Sequence, residues 1–305
     1  MPKSLVTGGA GFIGSHIADA LIERGHEVVV VDNLVTGAKE NVNSKAKFVE
    51  LDIVDQKLGD LMIQEKFDYV FHSAAQIDLR KSIDDPVMDA NTNILGAINV
   101  IHESQKAGAK KFIFSSSGGA MYGEAKKLPT RESAENPLSP YGIAKKTIEL
   151  YLAAYFDMYH MPYVSLRYAN IYGPRQSTLG EAGVVAALAS RILSDKECVI
   201  FGDGAQTRDF TYVGDVVEAN MLAMESDFIG SVNIGTAKEI SINDLAQLIQ
   251  QAAGTSVVIP HKEARFGDVL RSCLDSKLAK KELGWQPLTK IKDGIQLTVD
   301  WFKAK

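Results

Sequence analysis

Three glycines, Gly8, Gly11 and Gly14, follow directly on the first apolar segment and constrain the fold more than any other feature of the chain. The run reads Lys3-Ser-Leu-Val-Thr-Gly-Gly-Ala-Gly-Phe-Ile-Gly14. It predicts a short strand over 5–7, a tight turn, and a helix over 15–23 opened by Gly14. That order gathers free backbone N–H groups at the positive end of a helix dipole, where a pyrophosphate binds. Gly8 permits the turn, Gly11 lets the backbone approach the phosphates, and Gly14 lets helix and strand pack closely. Phe12 and Ile13 lie between them in the same candidate cradle. The spacing is G-x-x-G-x-x-G rather than G-x-G-x-x-G.

Glycine turns are common, so a second feature has to support the reading. A second apolar run, 27–31, ends at Asp32, 18 residues beyond Gly14. An acid there accepts hydrogen bonds from both hydroxyls of an adenosine ribose and repels a 2′-phosphate. Lys39, the first basic residue after Asp32, is too far along the chain to pair with such a phosphate. The expectation is NAD rather than NADP.

Strand-like and helix-like segments then alternate, with strands expected at 27–32, 46–50, 69–72, 111–115 and 163–168 and helices near 56–65, 88–107 and 140–160. Strands such as Val28-Val-Val-Val31 and Phe112-Ile-Phe114 are apolar throughout, as in a parallel sheet covered on both faces. The fold class is α/β: a Rossmann-type doubly wound parallel sheet with a smaller C-terminal α/β lobe. After Asn170 the expected elements are a loop at 173–180, a helix near 183–194, a hairpin pairing 198–201 with 208–213, a helix over 213–225 and a strand over 231–234. A helix near 241–253, an extended segment at 257–259 and a helix near 292–303 follow. Residues 1–169, with about 213–236, form the expected dinucleotide-binding domain, and about 170–212 with 237–305 the expected second lobe.

Composition narrows the function classes. The chain has 305 residues and a net charge of −5, with no basic stripe to suit nucleic acid. Its two cysteines, Cys198 and Cys273, cannot make a disulfide framework, which points to a reducing compartment. The chain enters its first strand within a few residues, leaving no room for a signal peptide, and no apolar run reaches the roughly 18 residues of a membrane span. A cytoplasmic enzyme with no metal, no membrane and no nucleic-acid partner is expected.

Tyr141 and Lys145 form a Tyr-x-x-x-Lys pair. Tyr122 and Lys126 form another, but Gly123 and Pro129 put that one in a loop. Ser139-Pro140 is an N-cap followed by an N1 proline, so Tyr141 falls in the first turn of a helix with Lys145 one turn on, on the same face. A phenol, with a pKa of about 10, is a poor base at neutral pH. A neighbouring ammonium, a helix N-terminus and a cationic nicotinamide would favour the phenolate. A shift of about 2–3 units corresponds to roughly 3–4 kcal/mol. Lys145 would also hold the nicotinamide ribose. A hydroxyl at the end of the strand over 111–115 would complete the set, and Ser115, Ser116 and Ser117 all lie there. We favour Ser117, with Ser116 left open.

These residues resemble a known family. Thr7-Gly-Gly-Ala-Gly-Phe-Ile-Gly14, Asp32-Asn-Leu-Val-Thr-Gly37, Ser117-Gly-Gly-Ala-Met-Tyr-Gly123, Tyr141-Gly-Ile-Ala-Lys145 and Arg167-Tyr-Ala-Asn-Ile-Tyr-Gly173 are similar to the extended short-chain dehydrogenase/reductases. More narrowly they resemble the UDP-glucose 4-epimerases and related NDP-sugar enzymes, nearly end to end. The resemblance implies that Asn33 belongs to the cofactor site and that Asp52 and Ile53 meet the adenine. It puts Ser73, Ala74, Ala75 and Gln76 on the nicotinamide side, with Asn93, Ser115 and Tyr168 near that ring. On the substrate side it implies Asn170 at a phosphate, Arg208 and Arg265 clamping the pyrophosphate, Val199 and Phe201 flanking the uracil, Val184 beside it through its backbone, and Asp268. Ser272 holds the position of a gate beside the hexose, and a small gate leaves room for an N-acetyl group.

The implied reaction inverts C4 of a UDP-hexose (UDP-glucose to UDP-galactose) through a transient 4-keto sugar, with NAD bound throughout and a homodimer as the working unit. Gly118-Gly119 stands where 4,6-dehydratases carry Asp-Glu, so the dehydration pair is missing. Alternatives are a UDP-N-acetylglucosamine or UDP-uronate 4-epimerase, a nucleotide-sugar reductase, or a non-catalytic NAD-sensing regulator. The helix over 140–160 carries Leu150, Tyr151, Leu152, Tyr155, Phe156, Met158 and Tyr159, more than one sheet-facing stripe. The second face is expected either to pair subunits or to be buried under the small lobe.

Overall fold

The four valines of 28–31 alternate between two hydrophobic cores. A computed structural model describes residues 1–178, 183–264 and 269–305. In it Val28 and Val30 pack into one cluster with Ile17, Leu21, Val216 and Trp285, while Val29 and Val31 face Leu58, Met62, Ile101 and Leu152. Period-two alternation on a sheet buried on both sides needs an apolar residue at every position.

The main sheet takes β1 (Lys3–Thr7), β2 (Glu27–Asp32), β3 (Lys47–Glu50), β4 (Tyr69–His72), β5 (Lys111–Ser117) and β6 (Tyr163–Tyr168). The remaining strands are β7 (Asn170–Tyr172), β8 (Ile200–Phe201), β9 (Thr207–Arg208), β10 (Phe210–Tyr212), β11 (Gly230–Ile234), β12 (Ile240–Ser241), β13 (His261–Lys262) and β14 (Arg271–Ser272). The main sheet has seven strands in the order β11-β6-β5-β4-β1-β2-β3, all parallel. Successive strands run outward in opposite directions from β1 and β4, so the crevice at their C-terminal ends is the ligand position of such a sheet. Thr7 and His72 are register partners there.

The helices are α1 (Phe12–Glu23), α2 (Lys57–Glu65), α3 (Leu79–Asp84), α4 (Pro86–Ala90), α5 (Ala97–Lys106), α6 (Gly118–Met121), α7 (Pro140–Tyr159), α8 (Val184–Leu193), α9 (Val213–Glu225), α10 (Ile242–Ala253), α11 (Lys277–Leu283) and α12 (Ile291–Lys303). Helices α1, α9 and α11 supply one face of the sheet, and α2, α5 and α7 the other. A third core joins α8, α10 and α12 through Leu188, Leu245, Ile249, Ile295 and Val299. Ala279, Leu283 and Trp285 belong to the main-sheet core rather than to this third one.

Four expectations are corrected. Helix α1 begins at Phe12, capped by Gly11, so Gly14 sits inside the first turn instead of opening the helix. The helix expected at 88–107 is α4, a π-helical segment Asn91–Gly96 and α5 in succession. Hydrophobic spacing does not separate a π turn from an α turn at this length. The expected hairpin does not form: β8 pairs in parallel with β13, β9 pairs with β12 and β14, and β10 pairs with β7. The Gly202 and Gly204 turn, at φ 77° and 73°, reverses the chain but hands each arm to a more distant partner. Residues 257–259 form no strand.

The outward face of α7 is not buried under the third core. Leu150, Tyr151, Met158 and Tyr159 are exposed, while Leu152 and Phe156 pack against the sheet.

Candidate active site

The glycine turn has the shape of an anion cradle. Gly8 adopts φ 70°, a left-handed conformation that costs an L side chain about 1–2 kcal/mol. A Cβ there would stand 2.6 Å from the Ala74 amide nitrogen. A Cβ on Gly14 would overlap the Gly8 carbonyl oxygen. On Gly11 it would approach only that same oxygen, at 3.1 Å, and would otherwise project into open space. The turn is therefore packed behind and clear in front. The first amides of α1, from Phe12, Ile13 and Gly14, have no partner within the helix and point along its axis. These residues fit a dinucleotide diphosphate.

Asp32 is buried at the end of β2, accepting from the Ala10 amide at 3.0 Å and the Leu34 amide at 2.8 Å. A carboxylate has about four lone-pair sites, so two remain for ribose hydroxyls. Asn33 donates from its side chain to Asp52 at 2.8 Å, and Ile53 is buried beneath Gly96. The adenine-side candidates thus meet where β2 and the segment after β3 end.

Beyond β4, Ser73 Oγ lies 2.7 Å from Ser115 Oγ, which lies 3.3 Å from the Tyr168 hydroxyl. Asn220 holds the Tyr168 hydroxyl at 2.9 Å. Ala74 and Ala75 follow, and Gln76 is clamped by Asn93: the Gln76 amide donates to Asn93 Oδ1 at 2.9 Å, and Asn93 Nδ2 donates to the Gln76 carbonyl at 2.9 Å. Below them His72 Nδ1 and Thr7 Oγ1 are 2.7 Å apart. Burial holds the His72 imidazole neutral, with its pKa lowered to about 3.

Ser139 caps α7 by accepting from the Gly142 amide at 3.1 Å, with Pro140 at the first helical position. Tyr141 enters the cleft from this first turn, its amide donating to Ser82 Oγ at 3.4 Å. Lys145 is buried one turn on, its ammonium donating to the Ser115 carbonyl at 2.8 Å. The ammonium stands 5.6 Å from the centroid of the Tyr141 ring and 4.7 Å from that of Phe114.

β5 continues to Ser117, two residues beyond expectation, and alternation then separates the serines. Ser116 points into the buried interior and donates to Glu149 at 2.7 Å. Ser117 points to the other side, where its hydroxyl accepts from the Ala120 amide at 3.3 Å and lies near enough to the Tyr141 phenol to favour its ionised form. The rival Tyr122 is locked away: its hydroxyl donates to Asn233 and accepts from Arg167, while Lys126 is exposed.

The electrostatics depart from the expected picture. Burial pushes the Tyr141 phenol up to about 12, the nearby Ser117 hydroxyl opposes this, and the charge of Asp89 adds to it. Lys145 does not acidify the phenol within the chain alone, because its ammonium is turned to the Ser115 carbonyl. Burial lowers Lys145 itself to about 8, against the charges of Asp89 and Glu149.

On the lobe side, β9 and β14 set Arg208 and Ser272 as register partners. Arg208 is half-buried and donates to the Thr207 carbonyl at 2.8 Å. Phe201 lies in β8, Val199 just before it is half-buried, and Val184 opens α8 behind the Gly183 cap. Asn170 is exposed in β7 and donates through its amide to the Asp209 carbonyl at 2.9 Å. Arg265 and Asp268 lie outside the described residues.

Several neighbours of the site escaped the sequence reading: Thr7, His72, Ser82, Asp89, Glu149 and Asn220. Each is polar and buried only because distant segments meet. The one available signal was a polar residue on an otherwise apolar stretch, as at Asp89 between Met88 and Ala90.

A dinucleotide cradle beside a Tyr-x-x-x-Lys helix on a doubly wound sheet defines a nicotinamide enzyme of the extended short-chain class. Residues 4–235 match the NAD dependent epimerase/dehydratase family, and the chain belongs to that family. It is similar to the crystal structure of UDP-glucose 4-epimerase with UDP-glucose from Thermotoga maritima: 48% identity, 99% of each chain covered, TM-score 0.97. The UDP-glucose 4-epimerase of Thermus thermophilus, in complex with NAD, shares 40% identity over 99% of each chain at a TM-score of 0.93. The UDP-glucose 4-epimerase of Mycolicibacterium smegmatis is 41% identical over 310 residues, 99% of both sequences. The cofactor is NAD. Among the described residues no group of His, Cys, Asp and Glu is arranged to hold a metal, and no helix is long and apolar enough to cross a membrane.

Proposed function

We propose that this protein interconverts UDP-glucose and UDP-galactose by inverting C4 of the hexose. The observation that carries the reading is the meeting of Tyr141, Ser117 and Lys145 at the carboxyl edge of the sheet, beside the Gly8–Gly14 turn. NAD, when bound, supplies the reversible acceptor for the hydride at C4. The residues to hold it are Gly8, Gly11, Phe12, Ile13 and Gly14 at the diphosphate and Asp32, Asn33, Asp52 and Ile53 at the adenosine. Ser73 to Gln76, Asn93, Ser115, Lys145 and Tyr168 take the nicotinamide half.

Tyr141 removes the proton of the 4-hydroxyl, and Ser117 shares the hydrogen bond that carries it. A phenol at about 12 in the chain alone needs positive charge nearby to ionise at neutral pH, and a bound cationic nicotinamide would supply it. Arg208 and Arg265 hold the pyrophosphate, since guanidinium forks match phosphate oxygens. The hexose stays loosely held, so the keto sugar turns over between the two transfers. With Gly118 and Gly119 in place of an acid/base pair, dehydration is left without a catalyst.

A second reading, epimerisation of UDP-N-acetylglucosamine, is favoured by the small Ser272 beside Arg208. Incubation with UDP-glucose, UDP-N-acetylglucosamine and UDP-glucuronate, with no NAD added, decides between them by product analysis. A requirement for stoichiometric external nicotinamide would replace the epimerase reading with a reductase.

Two units share the work in this reading: residues 1–169 with about 213–236 hold the dinucleotide, and about 170–212 with 237–305 hold the sugar nucleotide. The exposed face of α7, with Leu95 nearby in sequence to α5, pairs two subunits into a homodimer in the cytoplasm. A monomeric sedimentation profile at micromolar concentration would remove the dimer.

A further inference from the structure

Asp89 is a buried carboxylate at the edge of the site with no part in the chemistry above. It is 1% exposed and lies in α4, which packs across α7. Its Oδ1 accepts from Asn93 Nδ2 at 2.8 Å and from Gln76 Nε2 at 3.0 Å. Those two residues also clamp each other, so one carboxylate oxygen ties the loop after β4 to the π-helical segment. Burial pushes this carboxyl up from the usual range, while the two amide hydrogen bonds and the Lys145 charge favour its ionised form.

Lys145 is the complementary charge. It is 5% exposed, its ammonium is committed to the Ser115 carbonyl, and among the described residues neither it nor Asp89 makes an ion pair. The groups that face Lys145 are His72 from β4, Asp89 from α4, and Tyr141 and Glu149 from α7. Burial keeps His72 neutral at neutral pH, and Glu149 is spent on Arg167. Asp89 is the remaining buried charge that acts on both Lys145 and Tyr141.

We infer that Asp89 is a positioning residue of the reaction centre: buried where α4 packs across the helix that carries Tyr141 and Lys145, its carboxylate fixes Gln76 and Asn93 at the nicotinamide side, and its charge sets the pH range in which Tyr141 and Lys145 act together. The inference rests on the epimerase reading for its kinetic test. Removing a negative charge lets an ammonium lose its proton at lower pH and lets a phenol ionise at lower pH. Both limbs of the activity profile then move in the same direction. A purely structural role lowers the plateau without displacing either limb.

The test is the pH dependence of kcat for UDP-glucose epimerisation in the wild type, Asp89→Asn and Asp89→Glu. It is paired with ultraviolet difference titration of the Tyr141 phenolate, using Tyr141→Phe as the blank. Asp89→Asn keeps an oxygen acceptor for both amides and removes the charge. Its profile and its phenolate titration are expected to move to lower pH by about half a unit to one unit, the size of one charge acting beyond direct contact. Asp89→Glu is expected to restore the wild-type position. An unmoved profile, or a move to higher pH, overturns the inference. Should Asp89→Asn not fold, Asp89→Ser is read the same way; if both charge-free variants fail while Asp89→Glu folds, Asp89 is structural alone and the inference is lost. If the wild type epimerises no UDP-sugar, the functional reading fails, and the phenolate titration still reports on Asp89.

Discussion

The Lys145 ammonium donates to the backbone carbonyl of Ser115 at 2.8 Å, so the helix that carries Tyr141 is tied to the strand that carries Ser117. A side chain on α7 thereby sets the spacing between two candidate catalytic groups that are 24 residues apart in sequence. That lysine is buried, 5% exposed.

Replacing Tyr141 by Phe removes the phenol whose ionised form the Ser117 hydroxyl favours. Turnover of UDP-glucose is expected to fall by about 10³-fold or more, near the upper end for loss of a positioned acid/base. Bound NAD, measured by absorbance after denaturation, should stay near one per chain. Full activity in Tyr141→Phe would end the proposed mechanism.

The two adjacent serines should separate cleanly. Ser117→Ala loses the hydroxyl beside Tyr141 and is expected to cost about 10²-fold in kcat with little change in Tm. Ser116→Ala removes a buried donor to Glu149 and is expected to cost about 1–3 kcal/mol of stability, with a smaller kinetic effect. Denaturant melts and steady-state kinetics on the same samples give the comparison, and the reverse pattern would exchange the assignments.

Gly8→Ala places a Cβ at φ 70° and 2.6 Å from the Ala74 amide nitrogen. Strain of about 1–3 kcal/mol and displacement of the turn follow. NAD content after purification should drop together with Tm. A variant that retains both would mean that the loop after β4 yields without cost.

His72 gives the fold an acid-sensitive point. Its native pKa of about 3 lies below the unfolded value of about 6.5, so the unfolded chain takes up a proton that the native state refuses. Above pH 6.5 this contribution is fully present; it is lost as pH falls from about 6.5 toward 3, by up to roughly 4–5 kcal/mol. Stability measured between pH 7 and 4 should show that slope, and His72→Asn should flatten it. An equal slope in the variant would assign acid sensitivity to other groups.

Arg167 and Glu149 form a buried ion pair that also holds Tyr122 and Ser116. Arg167→Met leaves the Glu149 charge uncompensated and is expected to cost about 3–5 kcal/mol. The double change Arg167→Met with Glu149→Leu should recover part of that loss, since an apolar pair avoids the stranded charge. A double variant less stable than the single one would show that hydrogen bonding to Ser116 dominates.

The nucleotide half was legible because its signals are local. The glycine turn, the acid at the end of β2, the all-apolar strands and the Ser139-Pro140 helix start each lie within a few residues. The structure places them in one parallel sheet in the anticipated chain order. The lobe was less legible. Its two- and three-residue strands pair with segments far away, as β8 does with β13 and β9 with β12 and β14, and a glycine turn between apolar arms looks like a hairpin whatever the arms finally meet. The helix expected at 88–107 concealed a π turn, and with it the clamp of Asn93 on Gln76.

By itself the sequence determined the sheet, the glycine turn that follows β1, and the pairing of Tyr141 with Lys145 on one helix face, because steric turn requirements and helical periodicity are properties of neighbouring residues. Only the tertiary structure decided that Ser116 turns inward to Glu149 and Ser117 outward to Tyr141, that Lys145 spends its proton on Ser115, and that Asp89 lies buried near both. Those outcomes hang on where a strand ends and on which distant segments exclude water together. Burial and charge in a folded site are set by contacts between residues far apart in the chain.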